Sequence, residues 1–439
     1  MKLRLSILVY VFAIWLSIGI MPIQMELWRS LAWSGTAAEG QPVDPVQLTA
    51  SIHLAAGYLV KRCDQNGKFL YRINLNPDAT VKPRYNFLRH AGAICALGQY
   101  QQAYPDPVTL QTMKRAALFL KKASIDPIPE KFAPVPFRND LLAVWSIPAV
   151  TGSGKPVQAK LGGTGLGLAA LAGLENIAPG TTPLDYLRQM GNFIVFMQKK
   201  DGSFYSKFYP HHGGKNDRWT SLYYPGEAAL GLIMLYELNP DPQWLQAAAD
   251  ATAYLVRLRK GNPKVPADHW ALLATSKLLP FYDRCRQPLP KTAIVNHAVQ
   301  ISESILKAAA HYPQTSPTYG CLTDDGRTTP TAIRLEGLLA ALDIIPDKYK
   351  LLKKQIVISA HGGIGFLLRS QIQTGEYAGA IPRAIRPLPE NHAKFSKAFN
   401  LRATEVRIDY VQHALSAMLQ YQQLLFSKKV LTSLPIPIN

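Results

Sequence analysis

The segment Tyr223-Tyr224-Pro225-Gly226-Glu227, followed by Ala228-Ala229-Leu230-Gly231-Leu232-Ile233-Met234-Leu235, decides the fold. A polar, aromatic opening with a Pro-Gly turn starts a helix. The run behind it is apolar on every side, so it must be packed on every side. Its Ala and Gly content lets neighbouring helices approach closely. The same order of residues recurs at Tyr85-Asn86-Phe87-Leu88-Arg89-His90, Gly163-Thr164-Gly165, Asp268-His269-Trp270, Thr329-Pro330-Thr331-Ala332-Ile333-Arg334-Leu335-Glu336 and Arg407-Ile408-Asp409-Tyr410. Between these lie amphipathic runs near 44–63, 109–124, 183–200, 243–259, 292–311 and 348–373. In the second of them Leu110, Met113, Ala117 and Leu120 recur at helical spacing, with Lys114, Arg115, Lys121 and Lys122 between. Twelve helices in six hairpins close into a ring. The expectation is therefore an all-α fold, an (α/α)6 toroid over residues 44–426 with short β-like loop hairpins. Inner helices should start near 85, 163, 223, 268, 330 and 407, with their polar openings at one mouth.

The composition agrees with one large core. The chain has 439 residues, 48% of them hydrophobic, and 33 prolines that fall mostly between the periodic runs. No linker divides it after about residue 44, and an unbroken repeat rhythm favours one closed domain. Outer runs tend to end in loops carrying glycine and an aromatic: Asp64-Gln65-Asn66-Gly67-Lys68-Phe69, Asp201-Gly202-Ser203-Phe204-Tyr205 and Thr374-Gly375-Glu376-Tyr377. Glycine there supplies a positive-φ turn.

The first residues read as an export or anchoring signal. Lys2 and Arg4 precede an uncharged apolar stretch over 5–21, and Thr36-Ala37-Ala38 is a small-residue cleavage site. Residues 1–38 are thus a signal peptide or membrane anchor, and 427–439 a C-terminal tail. The expected location is exported: periplasmic, extracellular, or held at the membrane by residues 5–21. The formal charge of +19 favours anionic partners. For an exported chain without a nucleic-acid motif, anionic glycans or headgroups fit better than nucleic acid. Cys63, Cys95, Cys285 and Cys321 show no CxxC spacing, which argues against a zinc site built on cysteine pairs. Cys285 and Cys321 are the better disulfide pair, and Cys95 reads as packed core.

With its hairpin rhythm, Asp-Gly-Ser-Phe-type loops and the segment Tyr85–Gly92, the chain resembles the α/α-toroid superfamily. That group includes six-hairpin glycosidases, polysaccharide lyases, sugar epimerases such as the glucuronyl C5-epimerases, terpenoid cyclases and prenyltransferase subunits. The chain lacks a DxDD-like acidic run and the Asp/Cys/His combination of prenyltransferase zinc ligands. The resemblance therefore implies an exported carbohydrate-active enzyme, a hydrolase, lyase or epimerase, acting on an anionic polysaccharide or oligosaccharide. The alternatives are a non-catalytic toroid that binds glycan or supports envelope assembly, and a terpenoid- or prenyl-binding toroid.

The candidate catalytic residues are Glu227, Asp409, Glu336, Tyr224 and His90. Glu227 lies in the first turn of its helix, as a general acid or base or as a dipole-offsetting carboxylate. Asp409 and His413 are four residues apart and share a face, as an acid–base unit, a metal half-site or an interior hydrogen bond. Glu336 and Arg334 are two apart and do not share a face, so only one points inward. The candidate substrate-binding residues are Tyr85, Asn86, Arg89, Tyr223, Asp268, Trp270, Arg334 and Arg407. Arg89 offers a bidentate fork to a carboxylate, Trp270 a stacking platform, and Asp268 a helix cap. Tyr85, Arg89, Tyr224, Glu227, Trp270, Arg334 and Asp409 should border one pocket. His211-His212, with Asp217 beyond, is an incomplete metal motif. No cofactor and no metal is expected.

Overall fold

A computed structural model describes residues 43–134 and 140–427. The segment expected to be a signal or anchor and the tail beyond Ser427 lie outside the described residues. No helix of the described residues is long and apolar enough to cross a membrane.

Twelve long helices alternate between two layers. The outer ones are α1 (Pro45–Lys61), α3 (Pro107–Ser124), α5 (Leu184–Phe196), α7 (Pro242–Arg259), α9 (Lys291–Lys307) and α11 (Lys350–Ser370). The inner ones are α2 (Phe87–Ala103), α4 (Leu161–Ile177), α6 (Tyr224–Leu238), α8 (His269–Leu278), α10 (Thr328–Leu342) and α12 (Ile408–Phe426). Each inner helix packs on the next, and α12 packs back on α2, so the ring is closed. The inner helices begin within two residues of the expected starts.

The inner ring closes tightly because glycine removes side chains where backbones meet. A Cβ on Gly231 of α6 would lie 2.4 Å from the carbonyl oxygen of Gly165 on α4. Three of the six outer helices start on proline-flanked aspartate caps. Asp44, Asp106 and Asp241 accept from the first free N–H groups of α1, α3 and α7.

Connections at the two mouths differ. At the C-terminal ends of the inner helices they are short, as at 104–106 and 239–241. At the N-terminal ends they are long and carry the β-structure. The strands are β1 (Arg72–Asn74), β2 (Ile125–Pro127), β3 (Leu142–Ser146), β4 (Gln158–Lys160), β5 (Lys207–Tyr209), β6 (Gly214–Asn216) and β7 (Glu405–Arg407). β2 to β6 form one antiparallel sheet. β1 pairs with β7, Ile73 opposite Val406, and so ties the first long loop to the last. Glycines in these loops press on the next outer helix. Gly67 and Gly202, both at positive φ, would place a Cβ within 2.0 Å of the Arg115 carbonyl and 2.3 Å of the Asp250 carbonyl. Gly379, not Gly375, makes the equivalent contact with Leu54 on α1 and closes the outer layer.

The four cysteines are free thiols, which corrects the expected Cys285–Cys321 pair. Cys321 is buried instead among hydroxyls and carbonyls, 3.3 Å from Thr331 Oγ1.

Candidate active site

The inner-helix openings bring charged side chains from distant hairpins together. Asp409, in the first turn of α12, is buried between two arginines. Arg407 grips it with Nε at 2.5 Å and Nη2 at 2.8 Å, and Arg89 Nε reaches its Oδ2 at 3.0 Å. Burial alone would raise the Asp409 carboxyl, but Arg89 and Arg407 outweigh it and hold it below the usual carboxylate range. Asp409 is therefore ionised. Two guanidiniums around one carboxylate leave a net positive charge. Arg89, which also donates to the Tyr71 hydroxyl, keeps 30% of its side chain exposed.

Glu227 is in the first turn of α6 and 2% exposed. Its Oε2 has no hydrogen-bond partner among the described residues. The carboxyl sits in the notch left by Gly162, where a Cβ would fall 1.9 Å from Oε2. Burial, and secondarily the negative charge of Asp268, pushes Glu227 up to about 8, with Arg89 opposing. Glu227 thus holds its proton at neutral pH while Asp409 does not. Tyr224 borders the same notch and packs edge-on against Trp219. Burial pushes its hydroxyl well above the usual tyrosine range.

A third group lies deeper. His413 on α12 bonds Glu336 Oε2 on α10 through Nδ1 at 2.7 Å, not Asp409 as its spacing suggested. Burial lowers His413, yet Glu336 more than compensates, and the imidazole is raised. His269, opening α8, is 2% exposed, and neither ring nitrogen has a partner among the described residues. Its ring lies 5.6 Å from that of His413, 4.9 Å from Trp270 and 5.1 Å from Tyr223. Burial, with His413 beside it, holds His269 well below the usual histidine range. The donor atoms of His269, Glu336 and His413 all lie within 4.8 Å of one another. An axial cavity of about 560 Å3 reaches this group, with Trp270, Glu336, Gln412 and His413 lining it, and runs toward Lys277 and Asp343 at the far ends of the inner helices.

The remaining candidates take supporting positions. Asp268 is fully buried, caps α8 at Ala271 N (3.1 Å) and pairs with Arg259 Nη2 at 2.5 Å. Asn86 caps α2 through Leu88 N. Arg334 turns away from Glu336 and donates to the Leu322 carbonyl. Tyr85 and His90 form a relay that links three segments. Phe69 N–H donates to the Tyr85 hydroxyl at 3.1 Å, which meets His90 Nδ1 at 2.8 Å, and His90 Nε2 meets the Ala116 carbonyl at 2.9 Å. The Tyr85 side chain lines a separate groove with Lys68, Arg72 and Arg84, away from the axial cavity. His211 and His212 are exposed, and Asp217 is bound to Lys199 at 2.5 Å, so that motif does not assemble. His269 and Gln412 carry no signal in the sequence that marks them for the site, and His413, expected beside Asp409, finds its partner Glu336 on another hairpin.

No protein-family model matches the sequence, and no curated protein matches it. Solved structures do. A cellobiose 2-epimerase from Bacillus thermoamylovorans superposes with a TM-score of 0.61 at 11% identity, over 86% of this chain and 99% of that one. A D-mannose isomerase gives 0.56 at 13% identity, over 89% and 100%. An α-1,6-mannanase from a Salegentibacter species gives 0.54 at 12% identity, over 86% and 99%. At such identities the likeness shows the fold, the six-hairpin toroid.

Proposed function

We propose that the protein is a carbohydrate-active enzyme that works by proton transfer on an anionic glycan at the inner-helix openings. Glu227 carries this reading. It is a buried carboxyl with a partnerless oxygen, protonated at neutral pH, on the same ring of openings as an ionised carboxylate. Environments that push two titratable groups apart let one site hold a proton donor beside a fixed anion. In this reading Glu227 donates its proton to the departing or rearranging oxygen and, as the carboxylate so formed, takes a proton back from the incoming water or the substrate carbon to complete the turnover. Tyr224 shields it from water. Asp409 keeps Arg89 and Arg407 in place rather than taking a proton itself.

The anionic substrate class rests on the cations around Arg89. Lys160 is lowered to about 8, chiefly by burial and then by like-charge repulsion from Lys155, Lys207 and Arg89. A carboxylate or sulfate placed there would relieve that repulsion. The solved neighbours support the broad class, since their names describe sugar epimerisation, sugar isomerisation and mannan cleavage. Export, expected from residues 5–21, is part of the same proposal, because anionic polysaccharides are envelope and extracellular materials.

The test is a panel of acidic and neutral oligosaccharides, followed for cleavage, unsaturated product and solvent-deuterium incorporation. Exchange without cleavage identifies an epimerase, unsaturated product a lyase, and saturated fragments a hydrolase. Binding without conversion across the panel would overturn the enzymatic reading in favour of a glycan-binding toroid.

A further inference from the structure

We propose that His269, Glu336 and His413 form a binding site for one divalent transition-metal ion of the zinc type. The inference goes beyond the carbohydrate reading and does not depend on it.

Two independent observations support it. The first is the donor set. Two imidazoles and one carboxylate converge from α8, α10 and α12, with ligand atoms no more than 4.8 Å apart. Two histidines and one acid suit a borderline ion such as zinc, and leave an open position for water or substrate. The second is His269 itself. It is 2% exposed and neither ring nitrogen has a hydrogen-bond partner among the described residues. A buried imidazole left unpaired loses the hydrogen bonds it would make to water and gains nothing in return. An ion accepts the one available imidazole lone pair directly.

The geometry needs only side-chain adjustment. Bonds of about 2.1 Å in a tetrahedron hold ligand atoms about 3.4 Å apart. The His413–Glu336 contact at 2.7 Å must therefore open slightly. The longest edge must close by about 1.4 Å, which rotation about side-chain torsions supplies. The ring is placed to hold such a site rigidly. A Cβ on Gly337, next to Glu336, would lie 3.0 Å from His269 Cα, so α8 and α10 are already in close contact. Glu336 and His413 line the axial cavity together with Gln412, whose Oε1 also lacks a partner among the described residues. A water on the ion can hydrogen-bond there.

The rival account is that the two imidazoles act as a bare acid–base pair with no ion. The experiment uses the purified full chain, stripped with chelator and titrated calorimetrically with zinc chloride, then loaded with cobalt(II). The expected result is one zinc per chain, at least 30-fold weaker in His269→Ala and in Glu336→Gln. His211→Ala and His212→Ala should bind as the parent does. Cobalt should give the intense visible spectrum of a four- or five-coordinate site, and X-ray absorption should show two imidazoles. The cobalt and absorption data need only the parent protein, so a variant that fails to fold does not leave the question open. No stoichiometric binding, affinity in His269→Ala and Glu336→Gln equal to the parent's, or an all-oxygen six-coordinate shell would overturn the proposal. Glycan turnover by a stripped protein that takes up no zinc removes the metal site and leaves the enzyme reading. Zinc bound as expected with no turnover on any glycan does the reverse.

Discussion

Replacing Glu227 by Gln should make the protein more stable at neutral pH while it abolishes turnover. In the unfolded chain this carboxyl ionises near 4.5, whereas the folded protein holds its proton up to about 8. The folded state therefore binds more protons across that window, and its stability falls as pH rises from 4.5 to 8. At pH 7 the interval from 4.5 is about 2.5 units, or about 3 kcal/mol at roughly 1.36 kcal/mol per unit. Gln keeps the shape and does not ionise, so it escapes this cost. Its amide meets the same partnerless notch beside Gly162, which takes back about 1 kcal/mol. The net gain should be about 2 kcal/mol at pH 7, turning to a loss of about 1 kcal/mol at pH 4.5, where only the amide penalty remains. Denaturant midpoints of both proteins at pH 4.5, 6 and 7.5, with unchanged m, measure it directly. A difference that is the same at every pH would show that Glu227 is not held protonated. Unaltered turnover in the variant would remove it as the acid and shift attention to Glu336 or Asp409.

Other outcomes follow from the same contacts. His90 is held neutral, lowered to about 4 by burial against the 6.5 of a free histidine; the unfolded state binds the extra proton between those values, so stability should fall by about 3 kcal/mol as pH drops from 6.5 to 4. His90→Gln should flatten that acid limb in pH-dependent denaturation. Arg259→Met strands the buried Asp268 carboxylate and should cost about 3–5 kcal/mol in denaturant unfolding. Gly231→Ala drives a methyl into the Gly165 carbonyl, and a loss of about 1–3 kcal/mol or more is expected in the same assay. Arg89→Ala should raise KM about tenfold or more for uronic-acid oligosaccharides and little for neutral ones, because the deletion removes the exposed guanidinium.

The architecture was legible because every hairpin repeats the same demand. An apolar run such as Ala228–Leu235 has no polar face to turn to water, and so must be inside. An amphipathic run such as 109–124 has one, and so must be outside. The site was less legible because helix position does not fix direction. Arg89 and His90 are adjacent, so they point about 100° apart. Arg89 reaches Asp409 while His90 is packed against α3 at Ala116. Arg334 and Glu336 diverge in the same way. Asp409 and His413 share a face as expected, yet Asp409 is claimed by the arginines and His413 finds Glu336, 77 residues earlier. Such partnerships belong to ring closure, and nothing local announces them. The loop Gly375 shows the same limit. Its motif matched Gly67 and Gly202, but the close approach to the next helix falls on Gly379.

The short connections and the chain's entry and exit share one mouth of the ring. Gln422 near the end of α12 donates to Thr49 near the start of α1 at 2.9 Å, so the two ends of the described chain lie side by side. The long loops, Arg89, Glu227 and Asp409 occupy the opposite mouth. Whatever precedes Val43 therefore attaches to the back of the ring. Tethered there to any surface, the barrel would stand with its charged opening facing outward, free to meet a polymer too large to diffuse between the protein and its support.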